Sequence, residues 1–489
     1  MFSCVTSEDA KGAVQTSFLS VSATAATTYF LWRYFFPRQA RGEFDAILDL
    51  RQHERIVVVA PHSDDEALAS GGLIHQAVKA GKRVDVILIT NGDGFALATG
   101  RAYRRLRASP QRFIEFGQIR QKESLQACAQ LGVPENRVYA LGYPDRGIRA
   151  MWYDHWEEGN PYQSPFTRVT AVPYPAALRF GAPYAGESLV KDLMALFRRL
   201  RPTLVVGPHL NDAHIDHWST HNFVRYALAL LEEAGEMSPL YLGYLVHRGN
   251  WPAPKGLHRS KPLVPPASML RGDWRWLWYG LEPDTIERKH EAILLYRTQI
   301  AILRRYMISF VRVNEIFSPH SVSVVPNIGR IPEPTAWPYS RGRVLNPEKD
   351  TVVRRLQGAA NITGLDAVEA EGRLLVRIDL RTAVSREVLY RLYVRAVRPP
   401  GWTDEGVAWL MCSARVRGKG TMHSRVESVP QDVAGQGEIS AHYAGNAVVF
   451  AIPKTMLYPR SAFMMAAETR LRGLLADVTG WQVFRWSDG

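Results

Sequence analysis

The spacing of apolar positions changes near residue 343. Before it, short unbroken apolar runs alternate with stretches at helical spacing; after it, short runs follow one another with turn residues between. Ile56–Ala60 (I-V-V-V-A) is a β-branched run of the kind that forms a strand buried on both faces. Val84–Thr90 predicts a second buried strand, closed by the turn sequence N-G-D-G. Arg201–Pro208 and Tyr241–Val246 predict two more. Ala67–Ala80, Gly117–Gly132 and Trp218–Glu233 carry helical spacing, and Asp284–Met307 reads as one long helix. Strand and helix in alternation predict parallel β-α-β units, hence an α/β fold with a Rossmann-like, mostly parallel sheet over residues 43–330. Ile331–Arg343, with three prolines, reads as a linker. Beyond it Leu374–Leu380, Val388–Val397, Val407–Ala414, Ala447–Ile452 and Trp481–Trp486 read as strands, so residues 344–489 are expected to form an all-β sandwich that, by analogy with other glycan-modifying enzymes, binds carbohydrate or else supports the catalytic domain. Residues 1–42 hold an uncharged stretch, Ala13 to Trp32, just long enough to cross a bilayer but rich in Ser and Thr. They read as a leader or as a membrane segment, with membrane association through residues 13–32.

Polar residues crowd two of the predicted strand exits. Pro61 ends the first run, and His62, Asp64, Asp65 and Glu66 follow at once. In open α/β sheets ligands bind at such exits. His62 and Asp65, three apart, face one point if the chain turns into a helix there. An imidazole and a carboxylate are two thirds of a hydrolytic zinc site, and Asp64 is left over as a candidate base. An acidic first helical turn would look similar, because carboxylates favour a helix N-terminus. The second exit holds His209, Asn211, Asp212, His214, Asp216 and His217. His217 is placed as the third ligand, which leaves a coordination position for water, and His214 lies beside it without ligating.

P-H-S-D-D-E, T-N-G-D-G (Thr90–Gly94), R-Q-K-E-S (Arg120–Ser124), Y-P-D (Tyr143–Asp145) and H-I-D-H (His214–His217) together resemble the PIG-L/LmbE family. K-H-E-A (Lys289–Ala292) and Y-R-T-Q (Tyr296–Gln299) continue the order. The resemblance runs from about Ile56 to Phe317; Ser63 departs from it where the family commonly has proline. It implies a zinc-dependent N-deacetylase acting on an N-acetylglucosamine-containing glycan or glycoconjugate, with Arg120 and Asp145 contacting substrate. The scheme expected is amide hydrolysis by zinc-activated water. His62, Asp65 and His217 hold Zn²⁺, or Fe²⁺ or Co²⁺ on the same donors. Asp64 takes the water's proton. His214, oriented by Asp216, stabilises the oxyanion as an imidazolium, or else Asp216 orients His217. Alternatives of another kind are a thiol-conjugate amidase and a non-catalytic glycan-binding envelope protein.

Composition changes this picture little. The 489 residues carry a net charge of +13, which points to anionic company such as a phosphate-bearing or polymeric glycan. No nucleic-acid-binding motif accompanies the charge, so no nucleic-acid partner is expected. The three cysteines lie far apart and build no disulfide framework, leaving cytoplasmic, membrane-associated and exported locations open. Arg101, Arg104, Arg105, Arg107 and Arg112 crowd one loop and read first as a solvated basic face. The aromatic segment Met151–Tyr184 reads equally as a wall for a sugar ring or as packing. His247, at the exit of Tyr241–Val246, is a further candidate for touching substrate, or a structural histidine. The Asp284–Met307 stretch, with its two motif matches, reads as scaffold.

Overall fold

The β-branched run after Arg55 forms the strand it predicts, and the first sheet is assembled around it. The computed structural model describes residues 46–103, 108–270, 274–333, 336–339, 343–346, 357–399, 409–418, 421–428, 438–457 and 461–487. The 13–32 stretch, Arg104, Arg105, Arg107 and parts of 331–343 lie outside the described residues. Among the described residues no helix is long and apolar enough to cross a membrane. The first sheet has eight strands: β1 (Ala46–Ile47), β2 (Arg55–Ala60), β3 (Arg83–Thr90), β4 (Val138–Tyr143), β5 (Leu204–Pro208), β6 (Leu240–Tyr244), β7 (Leu277–Gly280) and β8 (Asn314–Pro319). They lie in the order β1-β7-β8-β6-β5-β2-β3-β4. The run from β4 to β6 is parallel throughout, and β8 is antiparallel to both β6 and β7.

Eight helices of the described residues connect these strands: α1 (Asp65–Lys79), α2 (Ala96–Ala102), α3 (Pro110–Gln130), α4 (Ile148–Tyr153), α5 (Gly186–Leu200), α6 (Ile215–Glu233), α7 (Pro283–Leu294) and α8 (Arg297–Met307). Ile56, Val58 and Ala60 enter one hydrophobic core with α1, while Val57 and Val59 enter the other with α5 and α6. Both faces of β2 are therefore buried, which is why its sequence does not alternate. Chain order reverses between β2 and β5, so the crevice at their carboxyl ends is where this architecture places ligands. The single long helix expected over Asp284–Met307 is instead two, α7 and α8. The chain breaks at Tyr296 (ψ 64°), whose buried hydroxyl donates to Glu66 at 2.5 Å.

The second sheet begins with β9 (Ser323–Val325), upstream of 331–343, which pairs parallel to the last strand. It continues with β10 (Val344–Leu345), β11 (Ile362–Ala370), β12 (Arg373–Leu380), β13 (Val388–Ala396), β14 (Trp409–Gly418) and β15 (Thr421–Ser428). The remaining strands are β16 (Ser440–Ala444), β17 (Ala447–Pro453), β18 (Ala462–Leu471), β19 (Leu474–Val478) and β20 (Gln482–Trp486). An antiparallel β domain is present as expected. In place of two separate sheets, its strands other than β19, which pairs β18 off the path, follow one hydrogen-bonded path whose halves close over a shared core. The described pairing between those halves is Thr421 with His442.

This β domain packs on the α/β part through β18. Ala462, Met464 and Ala466 face the core of α5 and α6, while Phe463, Met465 and Ala467 face the β core. The Arg395 guanidinium lies 3.9–4.7 Å from the Trp152, Trp156 and Trp409 rings and donates to the Trp152 carbonyl at 2.7 Å. Trp152 also meets Phe223, Tyr226 and Trp481 edge-on. Trp152, Tyr174 and Tyr184 are fully buried, so the aromatic segment between Met151 and Tyr184 is mainly packing. Deleting such a ring costs about 3–5 kcal/mol.

Candidate metal centre

Four strand exits meet in the crevice. The exit of β2 supplies His62, Asp64 and Asp65; the loop after β5 supplies Asp212 and His214, and the first turn of α6 that follows supplies Asp216 and His217; Asp145 and His247 follow β4 and β6. Asp65 Oδ2 lies 3.2 Å from His62 Nδ1 and 3.0 Å from His217 Nε2. Ligands about 2.0–2.2 Å from one tetrahedral zinc sit roughly 3.3 Å apart, so each of these two distances suits a pair of ligands. Among the described residues the triads whose donor atoms all lie within 4.8 Å of one another are His62–His214–His217, Asp65–His217–His247 and His62–Asp145–Asp216. Both nitrogens of His217 are buried without a hydrogen-bond partner although carboxylates lie near them, which also suits coordination. His214 and His247 close the group, with rings 4.7–5.3 Å from His62 or His217. Asp64, His214 and His247 are only partly buried, so the centre opens along their side.

Charge in the crevice is set by burial against pairing. Burial alone would push the His62 imidazole down, but hydrogen bonds to Asp145, Asp216 and Asp65 hold it well above its ordinary value. Burial likewise opposes the charge on His217, and Asp65 and Asp212 outweigh it, raising the ring to about 9. Asp65 itself is buried yet held well below the carboxylate range by His217 and His62. Asp64 goes the other way: burial, then the Asp65 carboxylate, push it up to about 8 against the pull of Arg120. The two adjacent carboxyls are thus driven apart, one raised and one lowered.

Asp64 is held in a backbone conformation rare for a residue with a side chain (φ 135°). Its N–H donates to Glu66 Oε2 at 3.2 Å, and Glu66 accepts from Tyr296. Arg120 donates to the carbonyls of Ser63 (2.7 Å) and Gly92 (2.8 Å) and lies 3.4 Å from Asp64 Oδ2. Gly92 has φ 64°, and a Cβ there would fall 1.7 Å from the guanidinium, so glycine is required for the arginine to fit. Gly94 N–H donates to Asp145 Oδ2 at 2.9 Å, while Asp93 accepts from the Asp145 N–H and from Tyr174. T-N-G-D-G is thus more than a turn: it supports Arg120 and Asp145.

Several expected contacts differ. The Asp216 carboxylate orients neither His214 nor His217; it lies 3.2 Å from His62 Nε2 and accepts from the Arg146 N–H at 2.7 Å. Only the Asp216 backbone N–H reaches His214, donating to Nδ1 at 3.3 Å. A nitrogen that accepts a hydrogen bond is unprotonated, so His214 is a neutral ring carrying its proton on Nε2, not the imidazolium expected. Burial, then three neighbouring imidazoles, also drive it down to about 2. Arg120 is buried under Asp64, and Glu123 pairs not with it but with Thr298, accepting from N–H and hydroxyl. Lys289 forms a buried pair with Glu315, as a scaffold residue would.

Asp212 stands at the second strand exit without a role assigned from the sequence. It accepts the N–H groups of His214, Val246 and His247 at 2.9–3.0 Å and lies 3.4 Å from His217 Nδ1. It joins two loops and fixes His217 from behind. Its place in a loop so rich in histidine and carboxylate was the one signal available.

Residues 57–228, which include His62, Asp64, Asp65, His214 and His217, match the family model described as PIG-L: GlcNAc-PI de-N-acetylase. The chain is 29% identical over 185 residues to a 1D-myo-inositol 2-acetamido-2-deoxy-alpha-D-glucopyranoside deacetylase of Corynebacterium urealyticum, covering 37% of this chain and 50% of that one. It is 27% identical over 217 residues to a 2'-N-acetylparomamine deacetylase of Streptomyces fradiae, covering 44% and 66%. The chain spans about half the length of the first curated relatives it matches. A solved N,N'-diacetylchitobiose deacetylase from Pyrococcus horikoshii aligns with 55% of this chain and 85% of its own, at 18% identity and a TM-score of 0.35. That likeness is too low to bear on activity.

Proposed function

We propose, from the premise that this chain carries a PIG-L family domain, that it is a metal-dependent hydrolase removing the N-acetyl group from an N-acetylglucosamine-containing glycan or glycoconjugate. The observation that carries the reading is Asp65 Oδ2, 3.2 and 3.0 Å from one nitrogen of each of two buried histidines, with Asp64 beside it. His62, Asp65 and His217 would hold the cation, best Zn²⁺, although the same donors accept Fe²⁺ or Co²⁺. Once bound, it would polarise an amide carbonyl and lower the pKa of water toward neutrality.

The remaining work falls to side chains. Asp64 takes the proton of the attacking water and returns it to the amine nitrogen, since an amine departs from an amide readily only when protonated. Arg120 and Glu66 hold Asp64 in place from below, which makes Arg120 a positioning residue here. His214 donates from Nε2 to the developing oxyanion as a neutral ring, its tautomer fixed by the Asp216 N–H. Asp216 and Asp212 orient His62 and His217 from their far sides, as carboxylates do behind metal-bound histidines. Asp145, one oxygen held by Gly94, offers the other to a sugar hydroxyl. Water is the nucleophile, so no acyl-enzyme forms, and trapping one would overturn the scheme.

Acetate release tests the proposal on free N-acetylglucosamine, an inositol conjugate, a thiol-bearing precursor and N-acetylated oligosaccharides. At least one should be turned over by metal-loaded enzyme. Asp64→Asn should then lower kcat by about 10²–10⁴-fold. Failure on every N-acetylated sugar by enzyme that binds metal would remove the deacetylase assignment.

A further inference from the structure

The β domain is joined to the metal centre through one residue of the loop that carries the histidines. Leu210, between His209 and Asn211, is 3% exposed and belongs to the hydrophobic core of the β domain rather than to either core of the α/β part. The turn between β19 and β20, Thr479–Trp481, closes over it. A Cβ at Gly480 would lie 2.2 Å from Leu210 Cδ1 and 2.6 Å from its carbonyl oxygen, so the turn and the loop touch backbone to backbone. Trp218, next in sequence to His217, donates from Nε1 to the Thr479 carbonyl at 3.3 Å and stacks on Tyr153, which receives a hydrogen bond from Trp481.

The turn is itself fixed. Thr479 exchanges two bonds with Ala467 of β18: its N–H donates to the Ala467 carbonyl, and its hydroxyl accepts the Ala467 N–H, both at 2.9 Å. Ala467 faces the β core, and its neighbour Ala466 faces the α/β core. On the loop side the tie is equally short. Asp212 lies two residues after Leu210; its N–H donates to the His209 carbonyl, and its carboxylate lies 3.4 Å from His217 Nδ1.

We propose that the β domain is a working part of the metal centre: the Thr479–Trp481 turn clamps Leu210 and Trp218 and so positions Asp212 and His217 for the cation. This rests on the metal reading above. It gives the domain a role other than carbohydrate binding, and it makes Gly480 a positioning residue. Gly480 has no left-handed φ, so alanine is acceptable to its backbone, and the three atoms nearest the added methyl all belong to Leu210.

Zn²⁺ affinity measured by competition with a chromophoric chelator, together with Tm, tests this on the full chain. Gly480→Ala should bind Zn²⁺ about 10–100-fold more weakly, the loss seen when the groups behind a ligand are disturbed. Tyr226→Phe serves as the control on the same interface. It loses the bonds to the Ala396 and Arg398 carbonyls, away from the loop, and should lower Tm while leaving Zn²⁺ affinity unchanged. Trp218→Phe keeps a ring against Tyr153 and should weaken Zn²⁺ several-fold, which decides the matter should Gly480→Ala not fold. Wild-type Zn²⁺ affinity in both Gly480→Ala and Trp218→Phe, or an equal loss in Tyr226→Phe, would overturn the positioning role. Absence of Zn²⁺ binding in the wild type would instead overturn the metal reading beneath it.

Discussion

Two groups of histidines, buried or half-buried, stand in this molecule, and they differ in what surrounds them. His62, His214, His217 and His247 stand among Asp65, Asp145, Asp212 and Asp216, with carboxylate oxygens 3.0–3.5 Å from the nitrogens of His62 and His217. His209, His221 and His320 are as deeply buried, yet their neighbours are one another and aromatic rings. His209 stacks on Trp276 and meets His320 at 4.6 Å, and His221 meets Tyr241 and His320. Burial drives His209 and His320 well down and His221 to about 3, so this second group is neutral. Residue type is shared by the two groups, and so is burial except at His214 and His247. The carboxylates decide which one can hold a cation, because a buried charge is tolerated only when paired.

Breaking the first group should have the largest effect. His217→Ala removes a proposed ligand, and bound metal measured by elemental analysis should fall from one per chain to a small fraction, with turnover falling alongside. Asp212→Asn is next. It leaves the ligand in place but weakens the group behind it, and Zn²⁺ affinity measured by chelator competition should drop about 10–100-fold. The second group sharpens the contrast. His221→Phe should leave Zn²⁺ affinity unchanged, and its bond to the Pro208 carbonyl should be missed by only about 0.5–1.5 kcal/mol in urea unfolding.

A further effect concerns acid and builds up over several pH units. The unfolded chain protonates His221 near its ordinary 6.5, whereas the folded chain does so only near 3. Between those values the unfolded state binds the extra proton, so stability falls as pH falls, by up to about 1.4 kcal/mol per pH unit for this group. His221→Phe should flatten the stability profile by that amount between pH 6.5 and 3. An unchanged acid slope would mean that the ring is not held neutral.

The same contrast explains what was legible in the sequence. A ligand cluster placed directly after a β-branched run is local, and Ile56–Glu66 showed both strand and chemistry at once. Asp212 was not legible as a positioning residue because its partners, Val246 and His247, come from another loop. Tyr296 looked like scaffold, yet through Glu66, which accepts the Asp64 N–H, it supports Asp64. Strand β18 passed unread because Ala-Phe-Met-Met-Ala-Ala-Glu has helix-forming composition. Small residues are needed there because the strand is pressed between two cores. Leu210 gave no sign that its partner core lay more than a hundred residues away, since hydrophobic burial carries no address.

The central claim is that Asp64 does the proton transfer beside a cation that His62, Asp65 and His217 hold. The direct measurement is metal content and acetate release, on one N-acetylglucosaminide, of wild type and Asp64→Asn side by side. The expected result is one metal per chain in both proteins and turnover only in the wild type. Equal turnover in the two, or a wild type that hydrolyses the amide with no metal bound, would contradict it.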